Sequence, residues 1–167
     1  LSNELHSKKT IDMCAAPGGK AFQLLSSGGE VFLNDISSKR INLLNENLTR
    51  LNFKKKLSNM NALDLSENQN YEVVDLDSPC SGIGTIRRNP EILFKKKAPD
   101  IEKLIKIQEN LINKASQLLK KNGVLIYMVC SFFFEETKGI KKKFLEKNKN
   151  FSKLKFKLKN QQDLNNF

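Results

Sequence analysis

The chain has 167 residues, of which 39% are hydrophobic and 28% charged, and its formal net charge is +11. That length supports one domain with a real core and is short for two, and the apolar content excludes wholesale disorder. No apolar run approaches the roughly 20 residues of a membrane span and no signal peptide opens the chain, so no membrane association and a cytoplasmic location are expected. The first residue, Leu1, is not Met, so an upstream segment is expected to be missing. Cys14, Cys80 and Cys130 are far apart, odd in number and without CxxC spacing, which suggests neither a disulfide framework nor a metal site. The charge fits a polyanionic partner, nucleic acid first, because lysine-rich surfaces gain by releasing condensed counterions. The runs Lys54–Lys56, Lys95–Lys97 and Lys141–Lys143 also fit plain solvated faces, and Lys-rich, Arg-poor composition fits AT-biased coding.

In chain order, Thr10–Cys14 is expected as a strand. A glycine loop follows it, then a helix from about Ala21 to Ser26 that Gly28-Gly29 ends. Val31–Leu33 forms a second strand ending at Asn34-Asp35, and Ser38 caps a helix with Ile41, Leu44, Leu48 and Leu51 on one face. Leu57–Asn61 is a third strand, with Asp64 in the loop beyond, and Tyr71–Leu76 a fourth, ending at Asp77-Ser78-Pro79-Cys80. The long loop 81–100 is of a length that in compact domains is usually either functional or disordered. Ile101, Leu104, Ile105, Leu111, Ile112, Ala115, Leu118 and Leu119 then mark one helix face, and Lys120–Gly123 closes that helix. Val124–Val129 reads as a buried central strand that delivers Cys130 to the carboxyl edge. Glu135-Glu136 opens a helix to about Asn148, and Lys153–Lys159 alternates as an edge strand. Strands alternating with helices predict an α/β fold with a mostly parallel, doubly wound sheet. There are no internal repeats.

Ligands of such sheets sit at the carboxyl ends of the strands near the switch point. Four such ends carry Asp12 to Lys20, Asp35, Asp77 to Cys80, and Cys130. The loop is neither a P-loop, since Ala21 follows Gly19-Lys20, nor GxGxxG. It suits a nucleoside without a large pyrophosphate, S-adenosylmethionine above all, with Asp35 placed to grip ribose hydroxyls.

The ordered runs DMCAAPGGK, NDIS, DSPCSGIGTIRRNP and CSFFFEE resemble the Sun/NOL1/NOP2 (RsmB-like) family of RNA 5-methylcytosine methyltransferases, its bacterial ribosomal-RNA members in particular. The likeness covers about Thr10 to Leu145. It implies a Rossmann-like, S-adenosylmethionine-dependent methyltransferase fold, truncated here at one or both ends, with residues 1–159 as the catalytic domain and 160–167 as a disordered tail. It implies cofactor contacts at Cys14, Ala15, Ala16, Pro17, Gly18, Gly19 and Lys20, and at Asp35, Arg40, Asp64 and Asp77. It makes Cys130 the nucleophile and gives Cys80 the removal of the C5 proton or release of product. Asp77 would hold the cytosine edge, with burial raising its pKa, and Lys20 would orient the base or activate a thiol. The implied partner is RNA, ribosomal ahead of transfer RNA, and a monomer is expected. Departures stand at Ser78, Val129 and Thr137, where Ala, Thr and Asn are usual. Neither the family's N-terminal RNA-binding part nor its further C-terminal strands are evident.

Plainer readings stand beside these. Cys14 is expected simply to pack. Asp64 either faces adenine or caps a turn, Arg87-Arg88 either binds phosphate or braces the long loop, and lone His6 is exposed. Taken alone, Cys80 and Cys130 would pass for structural thiols; their matched strand-end positions, after Pro79 and before Ser131, argue otherwise. Rival functions are a DNA cytosine-5 methyltransferase using Cys80, a non-catalytic RNA-binding fragment and, more distantly, a nicotinamide oxidoreductase.

Overall fold

The computed structural model describes residues 8–26, 28–55, 57–94 and 99–154. Five strands, β1 (Lys9–Asp12), β2 (Glu30–Asn34), β3 (Leu57–Ser58), β4 (Tyr71–Asp77) and β5 (Leu119–Met128), form one sheet in the order β3-β2-β1-β4-β5. Every pairing is parallel. The order reverses between β1 and β4, so the switch point opens where Asp12 and Asp77 end their strands.

The helices α1 (Gly19–Ser26), α2 (Ser38–Arg50), α3 (Ile101–Leu118) and α4 (Ile140–Lys147) cover the two faces. Successive strand residues point to opposite sides. Val31 and Leu33 therefore pack with Ala21, Leu25, Leu44 and Leu48 of α1 and α2. Ile11, Val74 and Leu76 meet Leu111, Ile112, Ala115 and Leu118 of α3 and Ile140 and Phe144 of α4 on the other side. The register pairs Ile11 with both Phe32 and Val74, so one row of apolar side chains crosses the sheet.

Local chemistry sets the helix ends. Ser37, one residue before the expected Ser38, caps α2, its Oγ accepting from the Arg40 amide at 3.4 Å. Asp100 caps α3 through the Lys103 amide at 3.0 Å. Beyond α1, the Gly28 and Gly29 amides bond to Leu25 and Leu24 carbonyls at 3.0 Å, as the glycine pair predicted.

Three expectations change. The third strand shrinks to Leu57–Ser58, and Asp64 ends a 3-10 turn, Ala62–Asp64, whose cap is Asn61. Lys120–Gly123 does not close α3: the helix passes straight into β5, and these residues bulge between the Tyr71–Leu119 and Val73–Val124 pairs. Gly123 is required there because a Cβ would meet Leu119 Cδ2 at 2.7 Å and the Glu72 carbonyl at 3.1 Å. Finally, among the described residues Val124–Val129 lies at the edge of the sheet and not at its centre. β5 pairs only with β4 among the described residues and is half-buried along this run, since an apolar run reports burial on both faces and not a neighbour on both edges. The expected 153–159 strand, the 160–167 tail and His6 lie wholly or mostly outside the described residues. Among the described residues no helix is long and apolar enough to cross a membrane.

Candidate active site

The glycine loop begins where β1 stops. Asp12 Oδ1 accepts from the Cys14 amide at 3.2 Å, turning the chain out of the strand, and Ala15 N donates to the Asn34 carbonyl at 2.8 Å. Asp35 holds the next step. With 1% exposure, its carboxylate accepts from Ala16 N at 3.3 Å and Ser37 N at 2.9 Å, and it pairs with Arg40 Nη2 at 2.9 Å. One side chain thus ties the loop to the start of α2, a structural use of Asp35 that the ribose reading did not foresee. Gly18 sits at φ +108, where a Cβ would collide with the Phe22 ring and come within 2.6 Å of Leu44 Cδ1. Gly19, which opens α1, has no atom within 4 Å of where its Cβ would lie.

Lys20, in the first turn of α1, forms an ion pair with Asp77 at the end of β4. The two residues assigned to the base therefore meet. Asp77 is 34% exposed, so the burial expected around it is not found. Buried carboxylates lie one layer beneath. Asp12 and Asp75 are register partners on β1 and β4, 2% and 4% exposed, and Asp75 Oδ1 has no hydrogen-bond partner. Burial, then the neighbouring Asp75, raises the Asp12 pKa well above its ordinary value. Burial pushes Asp75 from 3.8 to about 6, against the pull of Lys20. Asp75 escaped the sequence reading, although an acid inside the apolar run Tyr71–Leu76 was a signal.

A carboxyl whose pKa is raised by folding stabilises the folded state below its unfolded pKa, and that contribution is lost as pH rises through the folded value. Across 3.8 to about 6 the loss for Asp75 is bounded by about 3 kcal/mol. Asp75→Asn is therefore expected to raise stability by roughly 1–3 kcal/mol at pH 8 and by almost nothing at pH 4. Urea unfolding at the two pH values measures this; an equal gain at both would contradict the burial of an ionised Asp75.

The two cysteines lie just beyond the adjacent ends of β4 and β5. The Cys130 amide donates to Cys80 Sγ at 3.2 Å, Ser78 N bonds to the Met128 carbonyl at 2.9 Å, and Gly84 N bonds to the Cys130 carbonyl at 3.0 Å. A Cβ on Gly84 would come within 3.2 Å of the Cys130 backbone, so a glycine lets the loops touch. Cys130 is exposed and Cys80 half-buried. Burial raises the Cys80 pKa, and the Gly82 and Cys130 amides oppose it. Lys20 is engaged with Asp77, while Cys80 is served by backbone donors. Burial, then Asp12 and Asp35, push the Cys14 pKa up to about 12, and the partly buried side chain packs against the core around Ile11. Asp64 is exposed on its 3-10 turn, and Arg87 and Arg88 are exposed in the segment after Gly84. Among the described residues no cluster of three or more His, Cys, Asp or Glu side chains suited to a metal is present.

This chain has the Rossmann-like fold of the S-adenosylmethionine-dependent methyltransferases, with a glycine loop at the switch point and paired thiols on the adjacent strand ends. It belongs to the 16S rRNA methyltransferase RsmB/F family, which its residues 2–166 match. It is 36% identical over 141 residues to the ribosomal RNA small subunit methyltransferase B of Photorhabdus laumondii, covering 81% of this chain and 33% of the relative. With the probable ribosomal RNA small subunit methyltransferase B of Bacillus subtilis it shares 30% over 148 residues, 84% of this chain and 33% of the relative. The crystal structure of NSun6 from Pyrococcus horikoshii with SFG superposes with a TM-score of 0.75 at 32% identity, over 84% of this chain and 37% of that one. A methyltransferase homolog protein from the same organism gives 0.72 at 29% identity, over 87% and 48%. The chain spans about a third of the length of the curated relatives it matches.

The residues fit the cofactor that this family implies. Open space at Gly19 and the first-turn amides of α1 suit a carboxylate. Asn34 Oδ1 and Ser78 Oγ, both buried at the ends of the two strands that flank β1, make no hydrogen bond among the described residues.

Proposed function

We propose that this chain is the catalytic domain of an enzyme that methylates C5 of a cytosine in ribosomal RNA, with Cys130 as nucleophile. The observation that carries the reading is the convergence of Cys80, Cys130 and the Lys20–Asp77 pair on adjacent strand ends beside the glycine loop. The relatives named as ribosomal RNA methyltransferases support the substrate class. Cys14 to Lys20, Asp35, Arg40, Asp64 and Asp77 would hold S-adenosylmethionine, which would supply an electrophilic methyl group.

The protein's own groups must make C5 nucleophilic. C5 of cytosine is a weak nucleophile, and addition of the Cys130 thiolate to C6 gives the ring enamine character at C5. Asp77, steered by Lys20, accepts from or donates to the ring edge as charge develops at N3. Cys80 takes the C5 proton, which only its thiolate form can accept, or assists release of the product when the Cys130–C6 bond breaks. The target base must leave its stack to reach these groups.

RNA carrying 5-fluorocytosine tests this reading, because fluorine at C5 blocks the elimination that frees the enzyme. A stable adduct mapping to Cys130 is expected; an adduct on Cys80 with Cys130 unmodified would overturn the assignment and favour the DNA-methyltransferase pattern. Lys20→Ala is expected to lower kcat by about 10- to 100-fold with affinity for S-adenosylhomocysteine within about twofold. Calorimetry showing a large loss of that affinity would place Lys20 on the cofactor side alone.

A further inference from the structure

The two thiol-bearing loops are joined by a buried polar network that the chemistry above does not use. Glu136 and Gln108 have no solvent exposure. Gln108 Nε2, on the inward face of α3, donates to the Pro79 carbonyl at 3.0 Å and to Glu136 Oε1 at 2.9 Å. Glu136 also accepts from the Ser81 amide at 2.9 Å and the Ser81 hydroxyl at 2.5 Å, and Ser81 Oγ lies 3.3 Å from Ser131 Oγ. The Tyr127 hydroxyl donates to the Glu136 carbonyl at 2.9 Å. The residues bracketing Cys80 and the residue following Cys130 are thus held from one carboxylate and one amide.

A local backbone feature brings the carboxylate inward. Glu135–Gly139 is a π turn, closed by the Gly139 amide on the Phe134 carbonyl at 2.7 Å, and it precedes α4. Burial works to raise the Glu136 pKa, but hydrogen bonds from Ser131, Ser81 and Gln108 outweigh it and hold the pKa below the ordinary value. A buried ionised acceptor with several converging donors is a rigid joint, because any loop shift leaves a charge or an amide unsatisfied.

The geometry points to Glu136 and Gln108 as positioning residues that set the spacing of the Cys80 and Cys130 loops. The inference rests on the two thiols being the reactive groups, yet its test needs no RNA. The rate of iodoacetamide alkylation at each cysteine, resolved by mass spectrometry on the full chain, reports loop position, and Cys14 in the same molecule reports general unfolding. Glu136→Ala and Gln108→Met are each expected to speed Cys80 alkylation by about fivefold or more, with Cys14 and the affinity for S-adenosylhomocysteine within about twofold. Gln108→Met changes no charge, so its effect isolates geometry from electrostatics. Glu136→Gln keeps an acceptor for the Ser81 amide and is expected to restore the wild-type Cys130 rate wherever Glu136→Ala alters it. An unchanged Cys80 rate in both disruptive variants would overturn the inference. So would a parallel rise at Cys14, or a parallel loss of cofactor affinity, either of which would assign the pair to the fold as a whole.

Discussion

Cys130→Ser is expected to lower methylation of RNA by at least about a thousandfold, with the affinity for S-adenosylhomocysteine within about twofold of the parent. A serine hydroxyl is a far poorer nucleophile than a cysteine sulfur, and Cys130 is exposed where an incoming base could reach it. The proposed ligand-binding loop depends on β1, β2 and α1, so the substitution leaves it intact. Single-turnover methylation of RNA by the full-length protein, with calorimetry on the same sample, measures both quantities. Cys80→Ser is the companion: it is expected to retain adduct formation at Cys130 and to slow release. Equal loss of adduct in both variants would show that the thiols act as one structural unit.

Asp35→Ala should damage binding and folding together. Its carboxylate is buried and accepts from two loop amides while pairing with Arg40. Removing it leaves the Ala16 and Ser37 amides without their acceptor, which costs roughly 2–4 kcal/mol of stability. The Ala16–Gly19 turn would lose its tie to α2, so cofactor affinity should fall by about tenfold or more. Urea unfolding and calorimetry separate the two effects. Asp35→Asn, which keeps an acceptor oxygen, should recover part of the stability and less of the affinity. A variant with unchanged stability would mean that Asp35 serves the ligand alone and does not brace the loop.

Much of this architecture was legible in the chain because its signals are local. Apolar periodicity marked α2 and α3, glycine pairs marked the end of α1 and the ligand loop, and alternation of strand and helix implied the parallel sheet. Errors fell where a neighbour in space overrode a local cue. Lys120–Gly123 looked like a helix terminus, but the edge of β4 recruits Leu119 into pairing and Lys120 Nζ meets Glu72 at 2.8 Å.

The site divides along the same line. Composition and spacing of the motif residues were enough to nominate the glycine loop, Asp35, Asp77, Cys80 and Cys130, since each lies at the end of an apolar run. The partners of those residues were not readable, because partners are set by cross-strand register and by the rotation of helices against the sheet. Register places Asp75 beside Asp12, and the seating of α1 puts Lys20 on Asp77. Gln108 interrupts the apolar stripe of α3, which was a faint cue. Glu136 looked like an acid complementing a helix N-terminus until the π turn carried it into the interior. Sequence periodicity encodes which face is buried, and only the packed chain decides which groups on buried faces meet.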